Sequence, residues 1–161
     1  MTTLLFTICN SLVLLAWFAL LVFPKHRLTE RLMEYPWLPL GVSVVYLYFI
    51  IVSGGLLEAD FSKLEGIVSL FQRATPESAA AGWLHYLAFD FWVGVWMIKH
   101  SRKFKISHKI LLLPLLLTFM LGPTGILAYS LILLARKLFT PASESERFAL
   151  DQDEANELPG S

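Results

Sequence analysis

Four apolar runs divide this chain: Leu4–Phe23, Trp37–Leu57, Ala79–Ile98 and Ile110–Ala135. A helix rises about 1.5 Å per residue, so each run is long enough to cross a hydrocarbon core of roughly 30 Å. Such a chain has few folds open to it. Inside a bilayer the backbone must satisfy its own hydrogen bonds, and runs of this length do so as helices. Charged residues make up 16% of the chain, against about 25% in an ordinary soluble domain, and they cluster in the segments between the runs. The expectation is an all-α polytopic membrane protein: a four-transmembrane-helix bundle over residues 1–137, with spans near 4–23, 37–57, 79–98 and 110–135.

The first run has no basic segment before it, is too long for a signal-peptide core and is followed by no small-x-small site, so it reads as a retained helix. Formal net charge is zero, which gives no argument for nucleic acid or an acidic partner. The single cysteine, Cys9, has no partner for an internal disulfide or a cysteine metal cluster. Basic residues set the orientation. Loops 24–36 and 99–109 hold eight of the 13, with Lys25, Arg27 and Arg31 in the first and Lys99, Arg102, Lys103, Lys105 and Lys109 in the second. Both loops are therefore assigned to the cytoplasmic side and both termini to the outer side, with Arg136 and Lys137 weakening the bias. A bacterial inner membrane or its equivalent is the expected location.

Two segments are neither spans nor tight loops. Residues 58–76 carry Phe61, Leu64, Val68 and Phe71 at helical spacing, which predicts a short amphipathic helix on the interface between the second and third spans. It would serve as an anchor or as a lid over a cavity. Residues 138–161 form an acidic tail with little to bury, expected to be disordered.

Asp90, at the centre of the third run, is the most telling residue. Ionisable groups at that depth are costly, face the protein interior and usually mark a functional site. On a helix, Trp83, Tyr86, Asp90, Gly94 and Met97 share one side; His85, Phe89, Trp92 and Trp96 share another, about 140° away. Tyr86 is four residues before Asp90, within reach of its carboxylate. His85 is five before it and does not stack on it. Asn10 in the first run falls at the level of His85, Ser43, Tyr46 and Ser53 share a face of the second, and Gly122–Pro123 should kink the fourth close to mid-membrane. The structural alternative is an interhelical latch, a protonated Asp90 bonded to Tyr86 or Thr118. The same Gly-Pro would then be a packing kink and the terminal tryptophans, Trp37, Trp83 and Trp96, belt residues.

The runs GWLHYLAFDFWVGVW and LLLTFMLGPTGILAYSLI resemble the ABA4-like family of small four-helix membrane proteins, over most of residues 4–136. Trp83, His85, Asp90, Gly122, Pro123 and Gly125 match its pattern. Val95 stands where plant members tend to carry a basic residue. Plant members are regarded as neoxanthin synthases, so the resemblance implies a carotenoid or related isoprenoid as substrate. Such a conversion, from epoxide to allene, is an isomerisation that needs one proton delivered to oxygen and another removed from carbon. On that basis Asp90 is the expected acid and His85 the base. Tyr86, Phe89, Trp92, Tyr46, Asn10 and Thr124 are the expected substrate-binding residues. No metal and no cofactor is expected. The partners expected are a hydrophobic small molecule and membrane lipid, with no nucleic acid; a homo-oligomer stays open. The alternative is a non-catalytic carotenoid- or lipid-binding membrane subunit.

Overall fold

The structure is a computed structural model, and it describes residues 1–54 and 60–139. Among the described residues there are seven helices and no strand: α1 (Thr2–Val22), α2 (Arg27–Glu34), α3 (Trp37–Ser53), α4 (Leu64–Gln72), α5 (Pro76–Lys103), α6 (His108–Leu121) and α7 (Pro123–Phe139). The chain is therefore all-α. It divides into two compact units, Met1–Tyr129 and Ser130–Ser161. In the second, the described residues continue α7 to Phe139, with Arg136 and Lys137 in its last turn, where cations complement the helix dipole. The expected disordered tail lies outside the described residues.

α5 is the centre of the first unit, packing against α1, α3 and α6. Its start is written in the sequence. Thr75 caps the helix by accepting from the Ser78 backbone N–H, the Ser78 hydroxyl accepts from the Thr75 N–H, and Pro76 fills the first helical position, where no donor is missed. Glu77 in the first turn and His100, Arg102 and Lys103 in the last suit the helix dipole. At 28 residues it runs about 42 Å, longer than a hydrocarbon core, so its basic end projects beyond the apolar stretch.

Contacts along α5 fix the direction of each neighbour. Thr2 donates to Glu77 (2.8 Å), Trp83 Nε1 donates to Asn10 Oδ1 (3.0 Å), and Arg102 reaches the Pro24 carbonyl (3.0 Å), so α1 runs parallel to α5. α3 runs the other way: Tyr46 packs on His85 (ring centroids 5.6 Å), while Pro39 lies by Trp92 and Val95. α6 is also antiparallel, its His108 end at the level of Leu21 and its Thr118 beside Met97.

Three expectations are corrected. The 24–36 loop contains a helix, α2, which Arg102 clamps through a bidentate pair to Glu30 (2.8 and 3.0 Å). The second apolar run stops as a helix at Ser53, where Gly54 takes a left-handed conformation (φ 64°) that ends helices; residues 55–59 lie outside the described residues. The fourth run is not one helix. At Gly122 the chain folds back, because a Cβ on Gly125 would strike Thr118 and the Pro114 carbonyl, and Tyr129 bonds to His100 (2.9 Å), toward the basic end of α5. A helix continuing past Gly122 would have carried Tyr129 the opposite way. α6 and the start of α7 therefore form a hairpin with Gly122 at its tip.

α1 is long and apolar enough to cross a membrane, and α2 with α3, bent by 55°, passes as one broken span. The described residues thus give one or two such elements. The amphipathic segment expected over 58–76 is observed as the short α4, none of whose residues is buried.

Candidate functional site

Asp90 is buried at the crossing of α5 with the hairpin tip, and its Oδ2 atom has no hydrogen-bond partner. The tip approaches it closely. A Cβ on Gly122 would sit 3.2 Å from Asp90 Oδ1 and 3.2 Å from Tyr86 Cε2. Gly122 has φ 50° and ψ −103°, a conformation open to glycine and strained for other residues. One residue thus meets two demands: a sharp reversal and a backbone pressed against a carboxylate. The Tyr86 side chain interacts with both the Asp90 carboxylate and the Gly122 backbone.

Beside this cluster lies a cavity of about 1100 Å³. α5 contributes Gly82, Trp83, His85 and Tyr86; α1 contributes Asn10 and Leu14; α3 contributes Tyr46, Ile50 and Ser53; α6 contributes Phe119 and Met120. α4 covers one side with Ile67, Leu70 and Phe71. Asp60 prepares that cover: its carboxylate accepts from the Ser62 hydroxyl and from the Ser62 backbone N–H (2.9 Å), which hold its carboxyl below the usual range, and Gly66 leaves room for the Asp60 backbone. The cavity is mostly apolar, with a few polar groups converging from three helices, the ordinary make-up of a ligand site.

The expected site residues do not form one group. Asn10, Tyr46, His85 and Tyr86 line the large cavity together. Asp90 does not line it and stands behind Tyr86, which touches both. His85 and Asp90 do not meet: His85 is exposed and packs on Tyr46 and Phe89 (4.8 Å between ring centroids), whereas Asp90 faces the hairpin. Trp92 is not in the large cavity. It walls a smaller pocket of about 250 Å³ at the other half of α5, with Val95, Trp96 and Lys99. Phe89 is exposed between the two. Thr124 is apart from all of these, exposed in the first turn of α7 with its hydroxyl directed to the Leu121 carbonyl (3.5 Å).

Three residues escape a reading by composition. Phe119 and Met120 enter the cavity because α6 ends there. Trp17 is fully buried over Gly94, where a Cβ would lie 2.7 Å from its ring, and it packs on Phe91 and Phe119 (6.0 and 5.4 Å) with an unpartnered Nε1. The spacing of Gly94 one turn after Asp90 was the available signal for a close helix crossing there. Among the described residues, no group of three or more His, Cys, Asp or Glu side chains is arranged to hold a metal ion.

Fold and site together define a class: an all-helical protein with a buried carboxylate, one oxygen of it without a hydrogen-bond partner, under a hairpin tip and an apolar cavity alongside. The chain belongs to the ABA4-like family (ABA DEFICIENT 4-like), whose model matches residues 4–129. No match was found among curated proteins or among solved structures.

Proposed function

We propose that the protein is an integral membrane isomerase or lyase that acts on a carotenoid or related isoprenoid by acid–base chemistry. The observation that carries this reading is the Asp90–Tyr86–Gly122 cluster, which brings an acid to the wall of a large apolar cavity without opening it to water. Family membership supports a carotenoid-related role. In this reading α1, α3 and α5 cross the bilayer, with α2 on the cytoplasmic side. The hairpin of α6 and the start of α7, up to Tyr129, enters and turns back, in place of a fourth crossing, with loops 24–36 and 99–109 cytoplasmic. Irregular backbone at such depth is tolerated where it is buried in protein, as Gly122 is.

The chemistry assigns one task to each group. The Tyr86 hydroxyl delivers a proton to an epoxide oxygen as its C–O bond opens to a hydroxyl. His85 takes a proton from the neighbouring chain carbon, and the electron pair left behind completes the second of two cumulated double bonds. Asp90, in its carboxylic-acid form, resupplies Tyr86 and so acts through it. Each turnover gives one proton and takes one; His85 then releases its proton to water and Asp90 regains one, and no redox partner is needed. Tyr46 and Asn10 orient the end group, and α4 keeps water out.

The test is turnover of an epoxy-carotenoid by purified protein in proteoliposomes, with the product identified by mass spectrometry and absorption. Asp90→Asn should retain bound pigment and lose turnover by at least about 100-fold, the lower range for a general acid. Wild-type rates in that variant would overturn the role of Asp90, and bound pigment with no turnover by the unaltered protein would overturn the enzyme reading in favour of a pigment-binding subunit.

A further inference from the structure

The smaller pocket is a built feature. Its volume, about 250 Å³, is below the roughly 300–1000 Å³ of a site that encloses a whole drug-sized ligand, so it suits one ring or chain end. Its walls are fixed from behind. Trp96 is stacked on His100 (5.0 Å, 21°) and meets Tyr129 edge-on (5.7 Å), while His100 bonds to the Tyr129 hydroxyl. Phe91 is held edge-on by buried Trp17. The opposite wall comes from α2 and the start of α3, and the Glu30–Arg102 clamp fixes α2 in place. Rigid aromatic walls of this kind lower the ordering cost of binding.

One stripe of side chains on α5 leads from this pocket toward the large cavity. His85, Phe89, Trp92 and Trp96 are spaced four, three and four residues apart and form one stripe on α5. His85 lies on the rim of the large cavity, Trp92 and Trp96 wall the small pocket, and exposed Phe89 bridges them. From His85 to Lys99 the stripe runs about 21 Å. At its far end stand Glu34 and Lys99, one acceptor and one donor. A neutral hydroxyl can use both, whereas an acid or phosphate would be opposed by Glu34.

Resting on the reading given under Proposed function, we infer that the small pocket is a second end-group subsite. It takes the hydroxyl-bearing far ring of an elongated isoprenoid whose reacting ring occupies the large cavity and whose chain lies along Phe89 and Trp92. The protein accordingly selects a long, two-ended substrate with a polar far end over a short or purely hydrocarbon one.

The test uses the full chain in nanodiscs and three probes: a C40 polyene with hydroxylated rings at both ends, the same polyene with unsubstituted rings, and a one-ringed truncated polyene. Binding is read from tryptophan quenching. Wild type should prefer the hydroxylated C40 probe to each of the others by about tenfold, the value of one good hydrogen bond. Val95→Phe, which fills the pocket, should bring hydroxylated C40 and truncated probes to within about twofold while leaving the truncated probe's affinity unchanged. Lys99→Met, at an exposed position, should remove only the preference for hydroxylated over unsubstituted rings. Unchanged ratios in both variants, with truncated-probe binding intact, would overturn the second subsite and leave the large-cavity reading standing. Failure of wild type to bind any of the three would overturn both.

Discussion

Replacing Gly122 by alanine tests the hairpin tip directly. At φ 50° and ψ −103° the residue lies outside even the left-handed helical well, where side chains cost roughly 1–3 kcal/mol. The new Cβ would also stand 3.2 Å from Asp90 Oδ1 and from Tyr86 Cε2, so both side chains must shift by a few tenths of an ångström. Gly41 is the control. It lies within α3 with nothing within 4 Å of a Cβ, so Gly41→Ala should gain about 0.5–1 kcal/mol from helix propensity. The two variants should therefore differ by about 2–4 kcal/mol. At roughly 2–4 °C per kcal/mol for a chain of this size, that is a separation of about 4–16 °C in Tm. Thermal unfolding in one detergent, followed by circular dichroism, reads it. Adding Asp90→Ala should recover part of the Gly122→Ala loss, with a coupling above about 0.5 kcal/mol, because the crowded oxygens are gone. Equal Tm for Gly122→Ala and Gly41→Ala, or full additivity with Asp90→Ala, would refute the close approach of tip and carboxylate.

Other substitutions probe the frame. Gly94→Ala should lower Tm more than Gly82→Ala, since Trp17 fills the space over the first and nothing lies within 4 Å of the second. Thr75→Ala removes the cap of α5 and should cost about 0.5–2 kcal/mol in the same unfolding assay, with Thr75→Ser close to wild type. The hydrogen bond from Arg102 holds the Glu30 carboxyl below its ordinary range. A depressed carboxyl contributes stability above its unfolded value, near 4.3, and loses it as pH falls through the folded one. The Tm difference between wild type and Arg102→Met should be small at neutral pH, as both partners are partly exposed, and should vanish in acid. A difference that grows on acidification would contradict the pairing.

Much of this frame is legible in the sequence, because the apolar runs, the Thr75–Pro76 start and the spacing of Leu64, Val68 and Phe71 are local signals. The 24–36 segment hid α2 because its eight residues are mostly polar and its place is fixed from outside, by Arg102 some 70 positions away. The hairpin was hidden for a different reason. A Gly-Pro pair reads as a kink, and periodicity carries no information on the direction taken afterwards. That direction is set by the contact of Gly125 with Thr118 and by the Tyr129–His100 bond. At the site, helical spacing separated Asp90 from His85 correctly, yet it could not tell which side faced the cavity. Tyr86, expected to bind substrate, lines the cavity and also touches the carboxylate, while Trp92 belongs to the smaller pocket.

In the proposed mechanism Tyr86 and Asp90 act as one proton-delivering unit at the cavity wall. It is tested most directly by epoxide-opening rates for Tyr86→Phe, Asp90→Asn and the double variant, in proteoliposomes with bound pigment quantified. Residues acting as a unit give grossly non-additive losses, so the double variant should be no slower than the slower single one. Wild-type turnover in either single variant, or losses that multiply in the double, would contradict the account.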